Sequence, residues 1–245
     1  MTKLITLIYG ISAYLLGMGG LTFFILFIGG WDFMPIHIDS GIAGNTAVAL
    51  IVNTLLIVLF AVHHTMAARP SFKKKWQHLI PHSVERSTYV LFSGLFLTII
   101  CLFWQPLYGM VWDFSNEFIQ TSLIVIQIIG WSMVVIASFM INHFELFGLQ
   151  RSYCFFMGKD EPEASFTDRG LYKIVRHPIQ LGVLIGIWST PTMSVSHLML
   201  SLFMTNYIFI GLYYEERDLI QFLGDEYQDY QNRVHKLLPI PKKAE

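Results

Sequence analysis

The distribution of charge constrains this chain most, because five long intervals carry no Asp, Glu, Lys or Arg. The intervals are 4–31, 40–68, 87–112, 118–144 and 177–214. A helix needs about 20 apolar residues to cross a bilayer, since unpaired backbone groups are costly in lipid. Only 13% of the residues are charged, whereas soluble domains carry about 25%. We therefore predict a multi-span membrane protein.

The last interval is too long for one crossing. It runs from 177 to 214, which is 38 residues. A straight helix of that length would extend about 57 Å, nearly twice the hydrocarbon thickness. Pro191 lies where a break is needed, and proline removes a helical hydrogen bond and disfavours helix in the residue before it. The sequence predicts a helical hairpin with a short first arm.

The basic residues fix the orientation that we expect. With the N-terminus inside and six crossings, all 16 Lys and Arg fall on inner segments. The outer loops then hold only the acids Asp32, Asp39, Asp113 and Glu117. A five-crossing chain would place the last five basic residues outside, against the positive-inside rule. We predict an all-α polytopic membrane helical bundle of about six crossings, with both termini cytoplasmic.

Composition and net charge limit the classes of binding partner and the domain organisation that we expect. The net charge of −1 gives no sign of nucleic-acid binding, and two cysteines at different depths do not predict a disulfide. We expect a single domain over 1–245, with N-terminal spans in 1–141 and the chemistry-bearing hairpin and tail in 142–245. The short outer loops place any chemistry on the inner face.

One candidate site lies where the hairpin begins. Arg176 and His177 directly precede Pro178, a residue favoured at the first position of a helix. Free N–H groups and the helix dipole make this an anion site, and Arg176 adds a forked donor for a carboxylate. The alternative is that both residues merely anchor the helix at the lipid headgroups.

The second arm ends in acids. Glu215 and Glu216 oppose the dipole at that helix end, so they need a cationic partner. The hairpin should bring them beside Arg176 and His177, giving donors for a carboxylate and acceptors for an ammonium. A structural ion pair between Arg176 and Glu215 is the alternative.

Histidines mark two further inner segments. His63 and His64 end the second span, pointing about 100° apart, which disfavours a shared metal. One of them can accept a proton in a cavity while the other lies at the interface. His143 and Glu145 close the fourth span and are further cavity candidates. For His63 and His64 a packing role is the commoner alternative, and interfacial roles explain His143 and Glu145 equally well.

The C-terminal third resembles the isoprenylcysteine carboxyl methyltransferase-like family of integral membrane methyltransferases. The resemblance rests on 170–172, 176–178 and Gly182, and on Glu215-Glu216 followed by a pattern ending at Leu238-Pro239. It implies a site for S-adenosylmethionine (S-adenosyl-L-methionine). The positions matching cofactor contacts, with Arg176 and Glu216 completing the two motifs, are Tyr172, Arg176, His177, Pro178, Ile179, Gln180, Glu215 and Glu216.

Nearly all spans are similar to the methanethiol S-methyltransferase group within that family, notably in 63–69, 85–90, 143–149 and 188–193. This resemblance implies methylation of methanethiol to dimethyl sulfide at the cytoplasmic side of an inner membrane, without a metal. The thiol must lose its proton, and the expected general base is His64, then His143. A water chain to Glu145 or Glu216 is the alternative.

Two departures from the wider family and three alternatives bear on this reading. Gln180 stands where tyrosine is common, and Gly211 where prenylcysteine methylators carry an arginine, which disfavours a carboxylate substrate. The alternatives are methylation of another small or lipophilic thiol or an isoprenoid-linked acceptor, haem binding by the inner histidines, and transport. Clustering of polar residues at one face argues against transport.

Overall fold

The computed structural model describes residues 2–31, 33–42, 44–76, 78–162 and 166–240. Asp32, Lys242 and Lys243, which entered the charge count, lie outside the described residues. Helices dominate this part of the chain, together with one two-stranded sheet and a 3₁₀ turn at Gly170–Lys173. In chain order the elements are α1 (Lys3–Gly29), α2 (Thr46–Ala68), α3 (Pro70–Trp76), α4 (His82–Phe103), β1 (Met110–Asp113), α5 (Glu117–Ile141), α6 (His143–Leu146), α7 (Leu149–Met157), α8 (Pro178–Trp188), β2 (Thr192–Ser194), α9 (Val195–Leu223) and α10 (Asp225–Arg233).

Five helices are long and apolar enough to cross a membrane: α1, α2, α4, α5 and α9. They expose large apolar side chains, such as Leu15 at 62% and Ile51 at 60%. Lipid tolerates such faces because the helical backbone satisfies its own polar groups. The predicted all-α polytopic membrane bundle is confirmed.

The last charge-free interval folds into the predicted hairpin. α8 ends at Trp188 and α9 begins at Val195, so the break contains Pro191. The arms run antiparallel: Ser201 Oγ donates to the Ile187 carbonyl (3.1 Å), and Trp188 Nε1 donates to Thr205 Oγ1 (2.9 Å). The first arm has only 11 residues, about 16 Å, or half of a hydrocarbon core.

The short arm leaves carbonyl groups that need donors where α8 stops. Side chains supply them. Gln127 Nε2 of α5 donates to the Gly186 carbonyl (3.1 Å), and Trp112 Nε1 donates to the Thr190 carbonyl (3.0 Å). Together with Ser201 on Ile187, these bonds give protein donors to carbonyls at the end of α8 and just beyond it, as a buried helix end requires.

Two helix boundaries differ from the charge-free intervals. α4 begins at His82 rather than near Ser87, so it includes Glu85 and Arg86. Glu85 is 6% exposed and lies 3.9 Å from both Lys73 Nζ and Arg151 Nη1. α9 likewise continues through its charged turn to Leu223. Paired charges are tolerated in buried helical turns, so the end of a charge-free interval does not mark the end of a helix.

The chain divides into two compact units. The first unit comprises 1–109, 143–164 and 194–197, and the second comprises 110–142, 165–193 and 198–245. The stretch 142–245, expected from the sequence to be one region, is therefore shared between both units.

Glycines allow close helix packing in each unit. In the first unit, a Cβ at Gly20 would overlap the backbone of Gly94, and one at Gly17 would overlap Val90. In the second unit, Gly130 of α5 faces the backbone of α8 at Gly182 and Gly186. Small residues permit such approaches between membrane helices.

Candidate functional site

The start of α8 is fixed by the C-terminal segment of the second unit. Val175 and His235 form an isolated parallel bridge. The Arg176 N–H donates to the His235 carbonyl (2.9 Å), and the His177 N–H donates to the Lys236 carbonyl (3.2 Å). Pro178 then opens the helix with its fixed φ. This backbone pairing fixes the positions from which the Arg176 and His177 side chains extend.

Glu216 is the centre of the charged cluster at this point. Its Oε1 accepts from Arg176 Nη2 (2.6 Å), Arg176 Nε (2.9 Å) and His177 Nε2 (3.0 Å), and its Oε2 lies 2.7 Å from Lys236 Nζ. Glu216 is only 7% exposed. A buried carboxylate requires such pairing, and the expected meeting of the two hairpin ends is confirmed.

The partner and the role of Arg176 differ from the expectation. The ion pair forms with Glu216, not with Glu215. Arg176 Nη1 donates to the carbonyls of Gln231 (3.2 Å) and Val234 (2.5 Å), so every guanidinium nitrogen already donates within the protein. Arg176 ties α8, α9 and the C-terminal segment together instead of presenting a fork to a bound carboxylate.

Glu215 is the accessible carboxylate of the pair. Its side chain is 49% exposed, with His177 Nδ1 at 4.0 Å and Gln180 Nε2 donating to Oε2 at 3.3 Å. No side chain caps the N-terminus of α8 in the part of the chain that the structure describes. The first N–H groups of a helix lack intrahelical partners. An exposed carboxylate, which can bind an ammonium group, therefore lies beside a helix start that can bind a carboxylate. This arrangement is complementary to the headgroup of an amino acid.

Tyrosines support the site from behind. Tyr172 is 7% exposed and donates to the Ala137 carbonyl (3.4 Å), while Tyr230 donates to the Tyr172 carbonyl (2.5 Å). Burial raises the pKa of Tyr172, and it raises the pKa of Tyr230 to about 12. Both hydroxyls stay protonated at neutral pH and keep donating. Tyr227, Tyr230 and Val234 form a buried cluster with Phe166.

Sequence reasoning missed Lys236 as a member of the site. Tyr227, Tyr230 and Val234 fall within the C-terminal motif, so the resemblance carried a signal for them. Lys236 had no such signal, since a lysine in a basic tail is indistinguishable from other positive-inside residues.

The three expected catalytic residues all lie in the first unit. His64 is hydrogen-bonded at both ring nitrogens, Nδ1 to Ser93 Oγ (3.2 Å) and Nε2 to Tyr89 OH (2.8 Å). His143 is 5% exposed, and its Nε2 bonds Tyr14 OH at 2.8 Å. Burial lowers the pKa of His143, so the ring is neutral at pH 7.

Arg86 links the two histidine regions. Its guanidinium lies over the Tyr89 ring (5.6 Å to the centroid), and Tyr89 bonds His64. Arg86 Nε donates to the Leu146 carbonyl (3.0 Å), and its charge interacts with Glu145. Neither Arg86 nor Tyr89 was predicted as a site residue, although both fall in the stretch 85–90 that carried the resemblance.

Comparison with known proteins finds several relatives that share the name methanethiol S-methyltransferase. The chain is 41% identical to methanethiol S-methyltransferase 1 of Bradyrhizobium diazoefficiens over 97% of this chain and 83% of that protein. It is 39% identical to methanethiol S-methyltransferase of Mycobacterium tuberculosis over 99% of both chains. It is 36% identical to the protein of the same name from Crocosphaera subtropica over 100% and 96%. No family model and no solved structure matches the chain.

Proposed function

The chain belongs to the methanethiol S-methyltransferase family, and we propose that it transfers a methyl group from S-adenosylmethionine to methanethiol, giving dimethyl sulfide and S-adenosylhomocysteine. The exposed Glu215 carboxylate beside the uncapped start of α8 carries the assignment of the donor site. An integral multi-pass membrane protein with such a site fits a small, apolar thiol as substrate.

The residues present fit the methyl donor. Its methionine part carries an ammonium and a carboxylate, for which the second unit offers Glu215 and the first N–H groups of α8 at Ile179 and Gln180. Gln180 donates to the Glu215 carboxylate, and His177 Nδ1 lies 4.0 Å from it. When bound, the sulfonium supplies an electrophilic methyl group: the acceptor's S–C bond forms as the donor's S–CH₃ bond breaks, and the electron pair leaves with the thioether.

Arg176 and Glu216 act as positioning residues in this proposal. Their paired, buried arrangement orients His177 and fixes the first turn of α8. Tyr172 and Pro178 complete the support, Tyr172 through its bonds to Ala137 and Tyr230, and Pro178 by starting the helix. The direct ligands of the donor are then Glu215 and the N–H groups of Ile179 and Gln180, and His177 lies behind them in contact with both glutamates.

The thiol must give up its proton because the thiolate is the nucleophile. His64 would have to surrender a hydrogen bond before taking that proton, since both of its nitrogens are engaged. We propose that His64 holds Tyr89, that His143 holds Tyr14, and that Glu145 balances the charge of Arg86. In these roles the three residues act on the reaction indirectly, by positioning Tyr89, Tyr14 and Arg86.

The reaction is proposed on the cytoplasmic face. Arg176, Lys236 and Arg217 lie at the same end of the second unit as Glu215 and Glu216. Near the other end of α8 lies the acid Asp113, whose Oδ1 accepts from Thr192 Oγ1 at 3.1 Å. This asymmetry of charge follows the positive-inside rule.

The direct test gives purified protein both substrates and measures dimethyl sulfide by headspace chromatography and S-adenosylhomocysteine by mass spectrometry. Equal amounts of the two products support the proposal. S-adenosylhomocysteine formed only with a larger thiol or an isoprenoid-linked acceptor would overturn the assignment of methanethiol.

A variant tests the donor site. Glu215→Gln removes the charge that faces the ammonium, so we expect the dissociation constant of S-adenosylhomocysteine, measured by calorimetry, to rise at least tenfold. Glu226→Gln makes the same change on an exposed residue of α10 and should leave the affinity unchanged. Equal affinities of the two variants would remove Glu215 from the site.

A further inference from the structure

A small cavity lies in the first unit, among residues that the proposed donor site does not use. Its volume is about 40 Å³. One water needs roughly 10 to 15 Å³, so the cavity holds a molecule of only a few heavy atoms. The lining residues come from α2, α3 and α4: His63, Ala67, Phe72, Lys73, Glu85, Arg86, Thr88, Tyr89 and Phe92.

His63 has a buried nitrogen available in this lining. Its Nδ1 is buried and makes no hydrogen bond within the described part of the chain. The ring packs between aromatic side chains, with centroids 6.2 Å from Tyr89, 5.8 Å from Phe92 and 4.8 Å from Phe96. A buried imidazole nitrogen without a partner is costly, and a ligand with a weak donor would satisfy it.

The charge of the lining favours an anion. Lys73 and Arg86 contribute two cations, and Glu85 in the lining and Glu145 near Arg86 contribute two carboxylates. Arg151 adds a further cation 3.9 Å from Glu85. Phe72 and Phe92 supply apolar walls, so the cavity combines positive charge with surfaces that suit a small organic group.

We propose that this cavity is the binding site for the small thiol, which His63 deprotonates and the Lys73 and Arg86 side chains hold as a thiolate. The inference rests on the proposed function and names the acceptor site for it. Methanethiol, with one carbon and one sulfur, matches the volume. Residues 63–69 and 85–90, which carried the resemblance to the methanethiol group, provide six of the nine lining residues.

The proton step balances within the cavity. The S–H bond of the thiol breaks, its proton bonds to Nδ1 of His63, and the electron pair stays on sulfur. A neutral imidazole becomes a cation while a neutral thiol becomes an anion, so the net charge of the cavity does not change. The new negative charge faces Lys73 and Arg86, which lowers the cost of forming it in apolar surroundings.

Filling the cavity tests the binding site. Ala67→Leu adds three carbon atoms to the lining, and Ala68→Leu makes the same change at the next, exposed residue. We expect the KM for methanethiol to rise more than tenfold in Ala67→Leu alone, with the affinity for S-adenosylhomocysteine unchanged in both. Equal KM values in the two variants overturn the site.

Enlarging the cavity gives a second test that does not depend on fitting a larger side chain. Ala67→Gly should raise kcat/KM for ethanethiol relative to methanethiol at least fivefold, and an unchanged ratio contradicts the inference. Wild-type protein that makes no dimethyl sulfide would instead defeat the proposed function, and the thiol site with it. The two failures are therefore distinguishable.

The proton acceptor has its own signature. His63→Gln should lower kcat at least tenfold at pH 7, and the deficit should shrink as pH rises to 9, because solution then supplies the thiolate. His78→Gln, on an exposed residue, is the control and should show the wild-type profile. A deficit that is constant across this range would show that His63 has a structural role only.

Discussion

Glu215 and Glu216 illustrate how adjacent residues acquire different functions. Neighbours on a helix point about 100° apart, so one carboxylate enters the core while the other stays accessible. Glu216 is 7% exposed and contacts the side chains of Arg176, His177 and Lys236, whereas the Glu215 side chain is 49% exposed. Glu216 stabilises the local structure of the site, and Glu215 is the carboxylate that a ligand can reach.

Removal of the buried charge should therefore affect stability. Glu216→Gln leaves Arg176 buried without its counter-ion, which typically costs about 3 to 5 kcal/mol. We expect a clear fall in the unfolding temperature in detergent, measured by intrinsic fluorescence. Glu226→Gln, exposed on α10, should lie within about 0.5 kcal/mol of wild type. Equal stability of the two variants would show that the cluster around Glu216 contributes little.

His143 gives the protein a pH dependence whose sign follows from burial. Burial lowers the pKa of His143 in the folded state, while the unfolded chain titrates near 6.5. The unfolded chain therefore binds more protons as pH falls, so the stability contributed above pH 6.5 is lost on acidification. Between pH 7.5 and 5.5, wild type should lose more stability than His143→Gln. Parallel unfolding curves against pH would contradict this role.

At the residue scale, the sequence identified which types of side chain meet but not their pairing. It predicted a cation for the acids at the end of the hairpin, because acids oppose the dipole there. It did not distinguish Glu215 from Glu216, since that choice depends on which face of α9 packs against α8. It also did not find Lys236, whose position depends on backbone pairing of the tail with 175–177.

At the element scale, close packing of α1 against α4 depends on glycine at particular positions. A Cβ at Gly20 would overlap the backbone of Gly94, whereas a Cβ at Gly19 would meet nothing within 4 Å. Overpacking typically costs about 1 to 3 kcal/mol, while Gly→Ala in an open helical position gains up to about 1 kcal/mol.

These neighbouring glycines allow a matched pair of variants. Gly20→Ala should lower the unfolding temperature in detergent, and Gly19→Ala should preserve or raise it. The same fall in both would attribute the effect to the helix rather than to the contact with α4.

The limits of the sequence at this scale have a physical cause. Charge-free intervals located α1, α2 and α5 closely, because lipid excludes charge from their middle turns. The same criterion failed at the start of α4, where Glu85 is buried with Lys73 and Arg151 as neighbours. The break at Pro191 was predictable from proline chemistry, but the early stop of α8 depends on donors from α5 and α9.

At the scale of the whole molecule, charge asymmetry predicts which end faces the cytoplasm. A cysteine introduced at exposed Ser115 should react with a membrane-impermeant maleimide in intact cells, and one at exposed Asp229 should react only after permeabilisation. Cys101 and Cys154 are both buried and provide a low background. The reverse pattern of labelling would place the proposed site outside.

The side-chain donors at the end of α8 also affect how the protein responds to its lipids. A helix that obtains its terminal hydrogen bonds from Gln127, Trp112 and Ser201 does not have to reach the far headgroups. Thicker or thinner bilayers create hydrophobic mismatch for full-length spans, which adjust by tilting. α8 is not subject to this mismatch. A change in acyl-chain length should therefore alter the tilt of α5 and α9 and preserve the packing of α8 against both helices.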